Sequence, residues 1–119
     1  MAAAERVYDR ADPVGAASWL AFLTPAELSG LAALAHQSAG LYGRAEEQAA
    51  HTLDLLEGRF TRNRAYYTVL LAELQLAQGD AGRAAATVGD VRASGVVSSR
   101  MAARMERVMA AAERREGAP

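Results

Sequence analysis

Residues 65–87 read AYYTVLLAELQLAQGDAGRAAAT. Tyr67, Leu70, Leu71 and Leu74 recur at the three- and four-residue spacing that marks one face of a helix. Gly79-Asp80 interrupts that run, and an Ala-rich segment follows. Gly ends helices because it enters the left-handed region without steric cost, so Gly-Asp here reads as a turn. The stretch therefore predicts two antiparallel helices joined tightly. A helix pair of this kind has an apolar face that it cannot bury alone, and stacking against a copy of itself resolves the problem.

The copy is present. Gly40-Leu41-Tyr42-Gly43-Arg44-Ala45 matches Gly79-Asp80-Ala81-Gly82-Arg83-Ala84 at an offset of 39, with both Gly, the Arg and the Ala in register. In the same frame Ala33 falls on Ala72 and Ala49 on Val88. Small residues at those places let the helices cross closely, where a larger side chain would force them apart. A small residue in the first helix, Gly at the turn and Ala at the crossing resemble the tetratricopeptide repeat. The period exceeds the usual length of about 34 residues, which fits a longer connector at residues 59–64. The Pro expected near the end of each repeat is absent from both copies. The resulting fold class is all-α: a short tetratricopeptide-like α-solenoid of antiparallel helix pairs with a capping C-terminal helix.

Composition agrees. Of the 119 residues 51% are apolar but only 6% aromatic, and Ala, the best helix former, supplies much of the difference. No period-2 run of strand length occurs. The length suits one domain. All 13 basic residues are Arg, and the net charge of −1 creates no global field for nucleic acid. With no Cys there is no disulfide framework, thiolate nucleophile or Cys-based zinc site. No stretch approaches the roughly 20 apolar residues of a membrane span. The first twelve residues, MAAAERVYDRAD, carry charges where a signal peptide needs its apolar core. The chain reads as soluble and cytoplasmic.

Taken in order, residues 1–18 read as a partial leading helix and loop. Residues 2–11 form the helix, anchored by Val7 with Tyr8 beside it, and Asp12-Pro13 ends it. Residues 19–58 form the first pair. Trp19-Leu20-Ala21-Phe22-Leu23 reads as a plug between the leading helix and that pair. Thr24-Pro25-Ala26-Glu27 reads as a capping box with Pro at the first helical position, and Leu23 and Leu28 are spaced for a hydrophobic staple. The first helix turns Leu28, Leu31, Ala35 and Ser38 inward and ends near Gly40. Residues 41–44 make the turn, and a second helix over 45–57 carries Ala49, Leu53 and Leu56 inward before Gly58. Residues 59–95 form the second pair: a polar connector with three Arg, a helix over 63–78, the Gly79-Asp80 turn and a helix over 84–93 packing Ala84, Val88 and Val91. Gly89 either weakens that helix or admits a close neighbour. Residues 96–115 are the terminal helix, capped by Ser98 or Ser99. Met101, Met105, Val108 and Ala112 form its stripe, Met109 widens it, and Arg100, Arg104, Arg107 and Arg114 mark its polar side. Residues 116–119 are a frayed tail.

Several segments together resemble a known group. Trp-Leu-x-Phe leads into Ala-Glu-Leu-Ser-Gly; Arg-Asn-Arg-Ala-Tyr-Tyr follows, then Leu-Ala-Glu-Leu-Gln-Leu-Ala-Gln-Gly-Asp, then a Ser-Ser-Arg-Met helix. Over residues 19–108 this is similar to the tetratricopeptide-like C-terminal region of actinobacterial helix-turn-helix (XRE-type) transcriptional regulators. Those proteins place a DNA-binding domain ahead of the repeats, and no such domain is read in these residues. The resemblance implies a sensing or oligomerisation module of transcription regulation, with no direct nucleic-acid contact from this chain.

The chain shows no phosphate loop, HExxH motif or nucleophile elbow. His51 follows Glu47 by four residues, but two ligands do not make a metal site. Catalytic, cofactor-binding and metal residues are therefore not expected. The candidate partner-binding residues are Leu34, Gln37, Tyr66, Val69, Glu73 and Leu76, placed by the repeat frame along a groove. The frame positions Gly30, Leu34, Val69 and Glu73 do not suit capture of a peptide carboxylate. An apolar groove fits an amphipathic helix or a second copy. The leading expectation is a non-catalytic protein-interaction or oligomerisation module binding a protein, a peptide or itself. The alternative is a sensor whose groove holds a peptide or small apolar ligand, and a small helical enzyme or metal protein comes third.

Overall fold

The computed structural model describes residues 23–56, 62–95 and 98–116. They form five α-helices and no strand: α1 (Pro25–Ser38), α2 (Tyr42–Leu55), α3 (Arg62–Ala77), α4 (Ala81–Ser94) and α5 (Ser99–Glu116). The expected leading helix, residues 19–22, Gly58 and the first half of the Arg-containing connector (residues 59–61) lie outside the described residues.

Local chemistry sets the ends. Thr24 Oγ1 accepts the Glu27 amide at 3.1 Å, and Glu27 Oε1 accepts the Thr24 amide at 3.4 Å. The capping box read from Thr24-Pro25-Ala26-Glu27 is thus in place, with Pro25 opening α1. Asp80 Oδ1 accepts the Arg83 amide at 3.2 Å and starts α4. Ser98, not Ser99, caps α5, its hydroxyl oxygen accepting the Met101 amide at 3.2 Å.

The two turns are built alike. Gly40 (φ +76°) and Gly79 (φ +87°) both occupy the left-handed region. After α1, the Leu41 amide donates to the His36 carbonyl at 2.8 Å and the Gly40 amide to Gln37 at 3.0 Å. After α3, the Asp80 amide donates to Gln75 at 2.9 Å and the Gly79 amide to Leu76 at 3.0 Å. This is the paired closure of a helix end through a left-handed Gly, reproduced residue for residue at the offset of 39. Reversal is so tight that the next helix restarts at once. The Ala45 amide donates to Leu41 at 2.9 Å and Ala84 to Asp80 at 3.1 Å. Residues 42–44 and 81–83 are consequently first turns of α2 and α4, not turn residues as the Gly-rich sequence suggests.

Each helix packs on the one before it, and α3 also packs on α5. Arg64 Nη1 donates to the Leu53 carbonyl at 2.8 Å and Gln78 Nε2 to Glu46 Oε1, so α2 and α3 are antiparallel. Arg104 meets Glu73 while Arg115 reaches the Leu76 carbonyl, so α5 runs in the direction of α3. The apolar interior is in two clusters. Ala33, Ala45, Ala49, Leu70 and Leu74 join α1, α2 and α3. Ala65, Val69, Ala72, Ala84, Val88 and Val91 join α3 and α4 to Met101, Met105 and Val108 of α5.

Small residues decide which faces are buried. α1 buries Ser29, Gly30, Ala32, Ala33 and His36, while Leu31 is 39% exposed and Ser38 is exposed. The expected face of Leu28, Leu31, Ala35 and Ser38 is therefore corrected: close approach to α2 selects the Ala-Gly side. α2 likewise buries Ala45, Ala49 and Thr52 in place of Leu53 and Leu56. The expected stripe of α5 is observed, Met101, Met105, Val108 and Ala112 being buried. Gly89 faces open space, so it admits no close neighbour.

Candidate functional site

A half-buried charged pair lies at the seam between α3 and α5. Tyr66 and Glu73, seven residues apart, lie on the same side of α3. Arg104 of α5 grips the Glu73 carboxylate with both Nε, 3.1 Å from Oε2, and Nη2 on Oε1. Its guanidinium also lies 5.1 Å from the centre of the Tyr66 ring, within cation–π range. Tyr66 in turn meets Tyr67 edge-on at 5.1 Å. The Glu73 carboxylate, with burial opposing it, holds the Arg104 guanidinium above its ordinary value. The Arg104 and Glu73 side chains keep only 16% and 27% of their surface exposed. Arg104, expected on the polar side of its helix, is thus drawn inward. Its partner lies 31 residues away, beyond the reach of any periodicity argument.

The six expected groove residues separate into three settings. Leu34 packs half-buried against the first cluster, and Gln37 is half-buried nearby on α1. Tyr66 and Leu76 pack half-buried against the second cluster, and Glu73 is engaged by Arg104. Val69 has no exposed surface. It shares the frame position of Gly30, which faces the next parallel helix, so Val69 is a packing residue and is corrected out of the groove. Sequence reasoning missed the tight counterpart of Val69 on α1. A Cβ built at Gly30 would lie 2.5 Å from Tyr67 Cζ, so α3 seats its Tyr67 ring directly on the Gly30 backbone. A Gly inside an Ala-rich helix is the one sequence signal for it; the repeat frame pairs Gly30 with Val69 and Tyr67 with Leu28, so it does not point to this contact.

Beside the seam, a hollow of about 570 Å³ is lined by Arg62, Asn63 and Tyr66 of α3, by Gly95 and Ser98, and by Met101 of α5. Arg62 and Asn63 offer donors, while Tyr66 and Met101 offer apolar surface. Among the described residues no group of three or more His, Asp or Glu side chains is placed to hold a metal. His51 and Glu47 are both exposed on α2. None of the described helices is long and apolar enough to cross a membrane.

No family model, curated protein or solved structure matches the chain.

Proposed function

We propose that this chain is a tetratricopeptide-like, non-catalytic module that binds a protein partner or a second copy of itself, in the service of transcription regulation. The observation that carries the reading is the duplicated hairpin, whose two turns share one hydrogen-bond pattern at an offset of 39. Helices α1 and α3 begin the two hairpins, and α5 takes the next place beside α3 with the same direction. Repeats of this construction leave one face of their first helices free for a partner. The partner face proposed here is made of Leu34 and Gln37 from α1 with Tyr66, Glu73 and Leu76 from α3. Its mixed apolar and polar surface suits an amphipathic helix. No nucleic-acid contact, cofactor or metal enters the proposal, and the working compartment is the cytoplasm.

Light scattering during size-exclusion chromatography tests it, comparing wild type with Leu34→Asp across a wide concentration range. Self-association in wild type, lost in a variant of unchanged helix content, supports the reading. A strict monomer removes self-association. Titration with amphipathic helical peptides then decides the remainder, and failure of every peptide to shift backbone resonances of α1 and α3 overturns it. The hollow beside Tyr66 favours a second reading, a sensor for a small ligand with an apolar body and an acceptor group. A thermal-shift screen in which such a compound raises the melting temperature, and Arg62→Ala abolishes the effect, would establish that reading.

A further inference from the structure

The hollow beside Tyr66 has a polar rim and an apolar floor. Arg62, Asn63 and Ser98 are exposed at its mouth. Ala65 and Met101, only 1% and 9% exposed, close its depth and belong to the second apolar cluster, against which Tyr66 packs half-buried. The volume of about 570 Å³ falls within the range of about 300–1,000 Å³ that small-molecule sites occupy. The repeat does not demand this lining. At the offset of 39 the first hairpin has Ala26 in the place of Ala65, but Leu23 in that of Arg62 and Glu27 in that of Tyr66. The small residue is common to both hairpins, while the cation and the ring belong to the second alone.

That lining sets the sign of the ligand. Among the described residues around the hollow the Arg62 guanidinium is the one formal charge, and there is no carboxylate. The ion pairs of the described residues engage Arg83 and Arg104, not Arg62. Asn63 adds an amide donor. The Ser98 oxygen already accepts the Met101 amide, so its hydroxyl hydrogen remains able to donate. Because α3 and α5 run in the same direction and both begin here, two helix N-termini face the hollow against the single C-terminus of α4 at Gly95, which reinforces the Arg62 charge. A guanidinium matches the two oxygens of a carboxylate, and one cation neutralises one negative charge. The Tyr66 ring and Met101 supply surface for an apolar body. We infer that the hollow binds a small organic carboxylate, its anionic end on Arg62, Asn63 and Ser98 and its apolar end over Ala65, Tyr66 and Met101. The inference rests on the reading of the hollow as a ligand site and deepens it by fixing the charge of the ligand.

The test titrates the full chain with phenylacetate, indole-3-acetate and octanoate, with the three corresponding neutral amides and with inorganic phosphate, all at one ionic strength. Backbone amide shifts of Asn63, Gly95, Ser98 and Met101 are followed by nuclear magnetic resonance. The expected result is a saturable shift of these amides with at least one carboxylate, and at least tenfold weaker binding of its amide and of phosphate. Arg62→Gln keeps a donor but removes the charge, and should weaken the carboxylate about tenfold with helix content unchanged by circular dichroism. Arg100→Gln, an exposed Arg in the first turn of α5 that does not line the hollow, should leave the affinity within about twofold. Amides that bind as tightly as the carboxylates, or an affinity indifferent to Arg62→Gln, overturn the inference while leaving the hollow a ligand site. Phosphate that binds as tightly as the carboxylates overturns the assignment of the apolar end. If no compound of either charge shifts these amides, the reading of the hollow as a ligand site falls, and the inference with it.

Discussion

Glycine does opposite things at different positions of this chain. Gly79 holds a left-handed φ of +87° at the second turn, a conformation that costs other residues roughly 1–2 kcal/mol. Gly89 sits exposed inside α4 with open space where a Cβ would go. Gly79→Ala is expected to destabilise the protein by about 1–2 kcal/mol. Gly89→Ala should stabilise it by up to about 1 kcal/mol, the helix propensity difference. Urea unfolding of the two variants checks both signs. His36 makes a second prediction at this scale. It is buried, its Nδ1 has no hydrogen-bond partner, and burial, reinforced by the Arg44 charge, holds its pKa below the ordinary 6.5. The folded chain therefore carries it neutral, while the unfolded chain protonates it near 6.5. The stability associated with neutral His36 is complete above pH 6.5 and declines as pH falls from 6.5 toward the lower folded value. His36→Gln, the residue its frame partner Gln75 already has, should flatten that part of the melting temperature against pH profile. An unchanged acid slope in the variant would refute the assignment.

At the scale of elements, what the sequence made legible and what it concealed divide along a physical line. The turns could be read because Gly40 and Gly79 act locally, through their own backbone angles. The stripe of α5 could be read because Met101, Met105 and Val108 recur at helical spacing and contrast with the charged residues beside them, Arg100, Arg104, Glu106 and Arg107. The buried face of α1 could not be read. Leu28, Leu31 and Leu34 surround Ala32 and Ala33, so hydrophobicity has no single direction, and only contact with α2 and Tyr67 chooses among the faces. Of the candidate groove, Leu34, Gln37, Tyr66, Glu73 and Leu76 retain some accessible surface, but the burial of Val69 depends on where α5 lies. The grip of Arg104 on Glu73 has the same origin, since it joins elements 31 positions apart. That pair lies between the exposed case, worth at most about 1 kcal/mol, and the buried case, where loss of one partner costs about 3–5 kcal/mol. Arg104→Ala and Glu73→Ala are each expected to cost about 1–3 kcal/mol. Their double-mutant cycle should return a coupling larger than the few tenths typical of surface pairs. Additive losses would mean that the Arg104–Glu73 pair contributes nothing to holding α5 on α3.

At the scale of the molecule, the described residues form a hairpin repeated, with a fifth helix laid along the second copy. The first cluster brings both hairpins together by placing Leu70 and Leu74 of α3 among the Ala residues of α1 and α2. The reading as an interaction module depends on that side-by-side arrangement, because separated hairpins would offer no continuous surface to a partner. Its narrowest point is Gly30, where Tyr67 of the second hairpin rests on the backbone of the first. Gly30→Ala should therefore overpack the junction and cost about 1–3 kcal/mol. The most direct measurement is made on the wild-type protein. In a nuclear magnetic resonance spectrum the Gly30 α-protons are predicted to show strong upfield ring-current shifts and cross-relaxation to the Tyr67 ring protons. Gly30 α-protons at ordinary helical shifts, with no cross-peak to Tyr67, would contradict the stacking of the two hairpins and the account built on it.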